Sequence, residues 1–304
     1  MFSQMSMRLE QKNKQDLKQS LIFNLSCEIE QKLGKFEKQI LEKVEFVDLA
    51  LDLEESEYHI EMFKNLIMKE SNDKDSLISL IVKSEYKNIV DIKKIIIESF
   101  TQGDTSFDLG MNRNVDLITI IFDDNQFFTT TISLDKEIFN DIKDSPSFKE
   151  TQILKNIDST KVWAVQKYLA SIEINEKGKK KFLICKEYLE GQMLANIIVN
   201  LEISEQTYGR TNMEKLAYAT GKTFSNILNE LGGVPSDSNP LNLIVNDFME
   251  TKEIIVRYCD VEELRTKPIE IKHEINLMCN SFGSFAENFK KGISENYKGK
   301  KILF

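Results

Sequence analysis

Apolar residues recur at steps of three and four through Leu17, Leu21, Leu25, Ile29, Leu33, Phe36, Ile40, Val44, Val47 and Leu51. Positions three and four apart share a face at 3.6 residues per turn, so this spacing predicts one long amphipathic helix. Glu28 and Lys32 form one of several favourable i,i+4 pairs on its polar side. Shorter helical patterns follow: Tyr58, Met62, Phe63, Leu66 and Ile67, then Ile89, Ile92, Ile95, Ile96 and Phe100. Ser71-Asn72-Asp73 reads as a turn between them. Before Gly103 the only glycine is Gly34, and the first proline is Pro146, so little interrupts a helix in this part of the chain. Residues 1–104 therefore read as an N-terminal helical region. It is either a bundle or an arm that meets a protein partner, or a second copy, through the stripe of helix 17–51.

From Thr101 the texture changes. Val115 to Phe122 is apolar and β-branched, Asp123-Asp124-Asn125 is a hairpin-type turn, and Gln126 to Leu134 is a second strand. Pro146 suits the first turn of a helix running through Phe148, Ile153 and Leu154. Two more strand-like runs, Val162 to Ile174 and Lys181 to Cys185, are joined at Glu176-Lys177-Gly178. Helical patterns return at Met193 to Leu201 and Met213 to Leu231, and Phe285, Phe289 and Tyr297 have the spacing of a C-terminal core helix. Strands, a helix, strands and then helices make an α+β fold.

Composition narrows the partners. Lys+Arg 40 against Asp+Glu 49 leaves a net charge of −9, which argues against nucleic acid or an anionic membrane as the main partner. Leu117 to Phe122, among the most apolar runs, is far too short to span a bilayer, and the opening MFSQMSMRLEQK has no apolar signal core. Cys27, Cys185, Cys259 and Cys279 are scattered without a C-x-x-C pair, as befits reduced thiols and a cytoplasmic location. His59 and His273, the only histidines, are too far apart in sequence to suggest a zinc site.

The candidate chemistry lies between Gly232 and Leu264. Asp237 is followed five residues later by Asn242, with Pro240 between them and Leu243-Ile244-Val245 immediately after. A turn from Asp247 to Thr251 leads into Ile254-Ile255-Val256, and that strand delivers Asp260. A loop aspartate can accept a hydroxyl proton, and an asparagine and a second aspartate on rigid hairpins can hold a divalent cation. Taken alone, an aspartate and an asparagine at this spacing also make an ordinary turn.

This segment resembles the catalytic loop and metal-binding hairpin of the protein-kinase-like fold, which includes protein kinases and small-molecule phosphotransferases. The resemblance implies a bilobal domain: a small antiparallel-sheet lobe over 105–187 and a helical lobe over 188–304, preceded by the helical region. It implies an ATP- and Mg²⁺-dependent phosphotransferase with an unspecified acceptor. Asp237 would be the base or substrate-orienting group, and Asn242 and Asp260 would hold metal. Lys186-Glu187-Tyr188-Leu189-Glu190-Gly191 looks like the hinge between lobes, where Glu187 and Leu189 would meet adenine. Glu150, in SFKETQILKNI, falls where the family's ion-pairing glutamate stands. Leu109 to Leu117, with Gly110 and Asn112, falls where a glycine-rich loop would cover the phosphates.

The chain also departs from that pattern. Pro235 replaces the catalytic-loop histidine, Val261-Glu262 follows Asp260, and only Gly110 remains of the glycine-rich loop. Thr131 stands about where the phosphate-binding lysine is expected, with Lys136 just beyond as a substitute from a shifted register. These departures keep a second reading open: a catalytically inactive pseudokinase, sensing nucleotide or binding protein through its N-terminal helices. A plain scaffold that binds no nucleotide is a third, and Glu150 then becomes an ordinary solvated helix charge.

Overall fold

The computed structural model describes residues 44–48, 64–66, 68, 75–99, 113–157, 162–176, 179–246 and 253–299. The fold is α+β. Its first part contains β1 (Glu45–Asp48), α1 (Leu77–Ser84), β2 (Ile92–Ser99), β3 (Arg113–Phe122), β4 (Phe127–Asp135), α2 (Pro146–Leu154), β5 (Tyr168–Glu176) and β6 (Lys179–Glu187). The six strands form one sheet in the order β1-β2-β3-β4-β6-β5. Only β1 and β2 run parallel; the other neighbours are antiparallel.

Two of these strands correct the periodicity reading. Ile92 to Ser99 is a strand, not the helix its three-and-four spacing suggested, and Glu45–Asp48 pairs beside it rather than ending a long helix. In so short an apolar run helix and strand spacings overlap. What decides is the β-branched Ile95-Ile96-Ile97, whose stiff side chains suit a pleated surface. Ile95 and Ile97 are buried while Ile96 is half-buried, the period of two that an interior strand requires. The sheet thus begins well before residue 105. The rest of helix 17–51 and the turn at 71–73 lie outside the described residues, as do Gly110 and Asn112.

Helix α1 went unread in the sequence. Ser76 caps it by accepting from the Ser79 amide, and its Leu77, Ile78, Ile81 and Val82 are buried with Ile172, Ile174 and other sheet residues. At the other side of the sheet, α2 starts on Pro146, as its sequence indicates, and Ser145 caps it. Fully buried Asp135, at the end of β4, accepts from the hydroxyls of Ser145 (2.5 Å) and Ser147 (2.7 Å). A carboxylate at a helix N-terminus is favoured by the orphan amides and the dipole there. This contact fixes α2, and hence Glu150, against the sheet.

The chain then continues through β7 (Gln192–Met193), α3 (Leu194–Ile198), α4 (Leu201–Tyr208), α5 (Arg210–Leu231), β8 (Val234–Pro235), β9 (Leu243–Val245), β10 (Val256–Tyr258), β11 (Leu264–Arg265), α6 (Pro268–Ser281) and α7 (Ala286–Asn296). Most of these elements contribute to a second hydrophobic cluster around Phe224, Tyr258, Phe282 and Phe289. A Cβ on Gly221 would lie 2.1 Å from the Phe289 carbonyl, and one on Gly292 2.1 Å from the Tyr218 carbonyl. Glycine at both positions therefore lets α5 and α7 pack backbone to backbone. Strands β7, β9 and β10 make a small sheet, in which Gly191 (φ 142°) brings the chain against the Val245 carbonyl. Among the described residues no helix is long and apolar enough to cross a membrane.

Candidate functional site

Strand register brings the site together. Thr131 on β4 lies opposite Lys186 on β6, so the lysine occupies the strand next to the position where sequence spacing looked for a cation. Lys186 is buried. Its Nζ donates to Glu150 Oε1 at 2.8 Å and to the Cys259 carbonyl at 2.7 Å. Glu150, also buried, accepts from the Val261 amide at 3.3 Å through the same oxygen. A buried carboxylate needs such partners, so Glu150 is not a solvated helix charge. One ion pair thereby joins α2, β6 and the segment that carries Asp260. Lys136 lies at the far end of β4, on the surface.

The hairpin of β9 and β10 hangs from the segment that leads into β5. The Tyr258 amide donates to the Ala164 carbonyl (2.8 Å), and the Gln166 amide donates back to the Tyr258 carbonyl (2.9 Å). This places Asp260 under the sheet. Asn242 and Asp260 line the same cavity, of about 60 Å³, together with Thr131, Ser133, Gln166 and Lys186. Asn242 Nδ2 donates to Asp237 Oδ2 at 3.0 Å and to the Asp237 carbonyl at 3.3 Å. Asp237 itself is exposed and does not line that cavity. With Nδ2 engaged, Asn242 Oδ1 remains the atom for a cation, and an oxygen pair from one amide and one carboxylate suits Mg²⁺, which keeps water and phosphate as further ligands. Among the described residues there is no cluster of three or more His, Cys, Asp or Glu that could hold a metal alone.

No family model matches the chain, and no curated protein matches it. Among solved structures it is similar to one described as "WaaP in complex with acyl carrier protein". That similarity has 11% identity over 60% of this chain and 75% of that one, with a TM-score of 0.42. So distant a likeness carries no argument, and the site must be read from its own geometry.

The hinge-like segment divides in two. Glu187 is engaged throughout: its amide donates to the Lys167 carbonyl (3.0 Å), and its carbonyl accepts from Gln166 Nε2 (2.5 Å). Its carboxylate accepts from the Lys167 amide (2.6 Å) and from Arg257. Leu189, two residues on, is half-buried, and its backbone groups make no hydrogen bond among the described residues. Of the two, Leu189 is the one with donor and acceptor to offer.

Two groups beside the cavity stay protonated. Burial pushes the Cys259 thiol up to about 12, Asp260 and Glu150 adding to the rise while Lys186 opposes it. Burial likewise raises Tyr258 well above the usual phenol. Pro235 is buried in β8, paired with Leu264 of β11; in that place it can shape the loop before Asp237 but offers no side chain for proton transfer. Sequence reasoning placed Lys186 only at the start of the hinge-like segment and missed it as the cation, although a lysine closing the buried run Phe182 to Cys185 was a visible signal.

Proposed function

We propose that the chain is a divergent protein-kinase-like phosphotransferase using ATP and Mg²⁺, with its acceptor undetermined. One observation carries this reading. Lys186, in a buried pair with Glu150, shares a cavity with Asn242 and Asp260. The cation that seemed absent from β4 is supplied across the ladder, from the residue opposite Thr131. Two separate hydrophobic clusters, one centred on the sheet and one on the later helices, support a bilobal arrangement with the segment after β6 as hinge.

In this reading Leu189 offers its backbone to the base, and Lys186 directs its ammonium toward the phosphates. Asn242 Oδ1 and the Asp260 carboxylate hold Mg²⁺, which when bound neutralises phosphate charge during transfer. Asp237 accepts the proton of the acceptor hydroxyl. Because phosphoryl transfer depends on electrostatic clamping and alignment more than on covalent chemistry by the protein, moving the lysine one strand over is tolerable if its charge arrives at the same place.

The pseudokinase reading has an observation of its own. Lys186 is already bonded to both Glu150 and the Cys259 carbonyl, and the cavity is small beside the roughly 300–1,000 Å³ usual for an organic ligand. Thermal unfolding with ATP, with and without Mg²⁺, on wild type and Asp260→Ala decides first whether nucleotide binds. A ligand at a hundredfold excess over its dissociation constant stabilises by about 2.7 kcal/mol, so a Mg²⁺-dependent rise lost in Asp260→Ala is the expected result. No shift at millimolar nucleotide sinks both nucleotide readings. A shift without phosphate turnover, across a panel of hydroxyl acceptors, leaves the pseudokinase.

A further inference from the structure

The peptide unit between Asp237 and Ser238 is held at both ends. Its carbonyl accepts from the Tyr258 hydroxyl at 2.7 Å, and its amide donates to Glu274 Oε2 on α6 at 3.3 Å. Tyr258 is fully buried, and Ser238 and Glu274 nearly so, while the Asp237 side chain on the same peptide is exposed. Neither partner is explained by packing. The Tyr258 ring meets Phe224 edge-on in the second cluster, a place phenylalanine would fill as well; only the hydroxyl needs the loop. Glu274 is a carboxylate among Ile275, Met278 and their neighbours, with no ion pair among the described residues. Burying a charge against one amide is costly, and such groups are kept where they fix a geometry.

We infer that Tyr258 and Glu274 are positioning residues that clamp the 237–238 peptide and thereby set the direction of the Asp237 carboxylate. The role this gives Asp237 rests on the phosphotransferase reading; the clamp itself does not. Two features extend its reach. Tyr258 lies two residues before Asp260, so one side chain ties the Asp237 loop to the strand that delivers the second aspartate. Asn242 Nδ2 bonds both the clamped carbonyl and Asp237 Oδ2, so a turn of the peptide would shift the amide that faces the cavity. The Ser238 hydroxyl, donating to the Pro235 carbonyl at 3.3 Å, and the Ser236 amide, donating to the Glu263 carbonyl at 2.9 Å, hold the loop upstream. The clamp therefore acts on a short span with little slack.

Tyr258→Phe and Glu274→Met test it on the full-length, nitrogen-labelled protein, each removing a bond while keeping much of the shape. Amide exchange at Ser238 should speed up about tenfold in either variant, the size of one lost hydrogen bond. The amides of α5 should exchange as in wild type, which separates a released loop from a loosened fold. The side-chain amide resonance of Asn242 should move, because its Asp237 partner has turned. Unchanged exchange at Ser238, or an unmoved Asn242 side-chain signal, overturns the proposal without reference to nucleotide. Absence of a Mg²⁺-nucleotide shift in wild type would instead end the phosphotransferase reading and leave the clamp standing. Where turnover is found, Tyr258→Phe should lower kcat about tenfold with nucleotide KM unchanged; an equal rise in KM alone would assign the hydroxyl to binding and overturn its positioning role.

Discussion

Lys186 and Glu187 are neighbours on β6, and each belongs to an ion pair, but the two pairs lie on opposite faces of the strand and differ in kind. The Lys186 and Glu150 side chains are 5% and 0% exposed, whereas those of Arg257 and Glu187 are both 26% exposed. The first pair sits against the cavity with Asn242 and Asp260. The second belongs to a seam: Arg257 also donates to the carbonyls of Trp163 (2.9 Å) and Val165 (3.0 Å), and Lys167, whose amide meets Glu187, reaches Glu85 beyond α1 at 3.1 Å. A buried pair sealed from solvent is weak evidence for stability, since desolvation offsets its Coulombic gain. A partly wet pair with several hydrogen bonds around it is a fastening.

The largest effect should follow from breaking the sealed pair. Lys186→Met takes the cation away from buried Glu150 and should cost about 3–5 kcal/mol in denaturant unfolding, with the nucleotide response lost. Adding Glu150→Leu should recover much of the stability, since apolar replacement of a buried pair is often neutral or better, and none of the response. A double variant that recovers both would show that the pair is a fastening like its neighbour. A smaller cost falls on the segment beyond β6. Gly191→Ala places a Cβ 2.1 Å from the Val245 carbonyl at a φ of 142°, a backbone setting worth about 1–3 kcal/mol in strain before the clash is counted. Thermal unfolding checks it, and an unchanged midpoint would mean that β7 and β9 can part freely.

Arg257→Met should cost less than the sealed pair, about 1–2 kcal/mol for the hydrogen bonds and partly screened charge it removes. The Mg²⁺-nucleotide shift should survive. If Arg257→Met abolishes that shift and Lys186→Met does not, the roles assigned to the two faces of β6 are reversed.

How much of this was legible in the sequence depends on how local each feature is. Asp237, Asn242 and Asp260 stand out because turns and short strands announce themselves within a few residues, and the folded chain puts Asn242 and Asp260 on one cavity with Asp237 bonded to Asn242. Pro146 likewise marked the start of α2, which carries Glu150. Lys186 was hidden because its place depends on the pairing of β4 with β6, where it faces Thr131, 55 residues away, and a one-residue change of register would have turned it to the other face. Ile92 to Ser99 was misread for a different reason: its local spacing was ambiguous, and its β-branched isoleucines with a place between β1 and β3 make it a strand. Tyr258 and Glu274 carry no local signal at all, since a tyrosine in an apolar strand and a glutamate on a helix are ordinary until the loop between them is seen.

The smallest effect can be read from a thiol that reports on the sealed pair alone. Cys259 offers its carbonyl to Lys186 and lies next to Asp260. With the thiol pushed up to about 12 from an ordinary 9.0, its thiolate fraction at pH 8 falls about a thousandfold, and iodoacetamide should label it that much more slowly than an open thiol. The sign for stability follows. Folding favours the protonated thiol, so its contribution is intact below pH 9.0 and is lost as the pH rises toward about 12. Lys186 is the charge that opposes this rise; removing it in the stabilised Lys186→Met, Glu150→Leu double variant also removes the carboxylate that adds to the rise, so the rate should change little there. Lys186→Met alone should slow labelling further, provided it is measured where that variant remains folded, and Arg257→Met should leave it as in wild type. Equal slowing by Arg257→Met would mean that the charge at the thiol comes from both faces of β6, and the separation between the two pairs would fail.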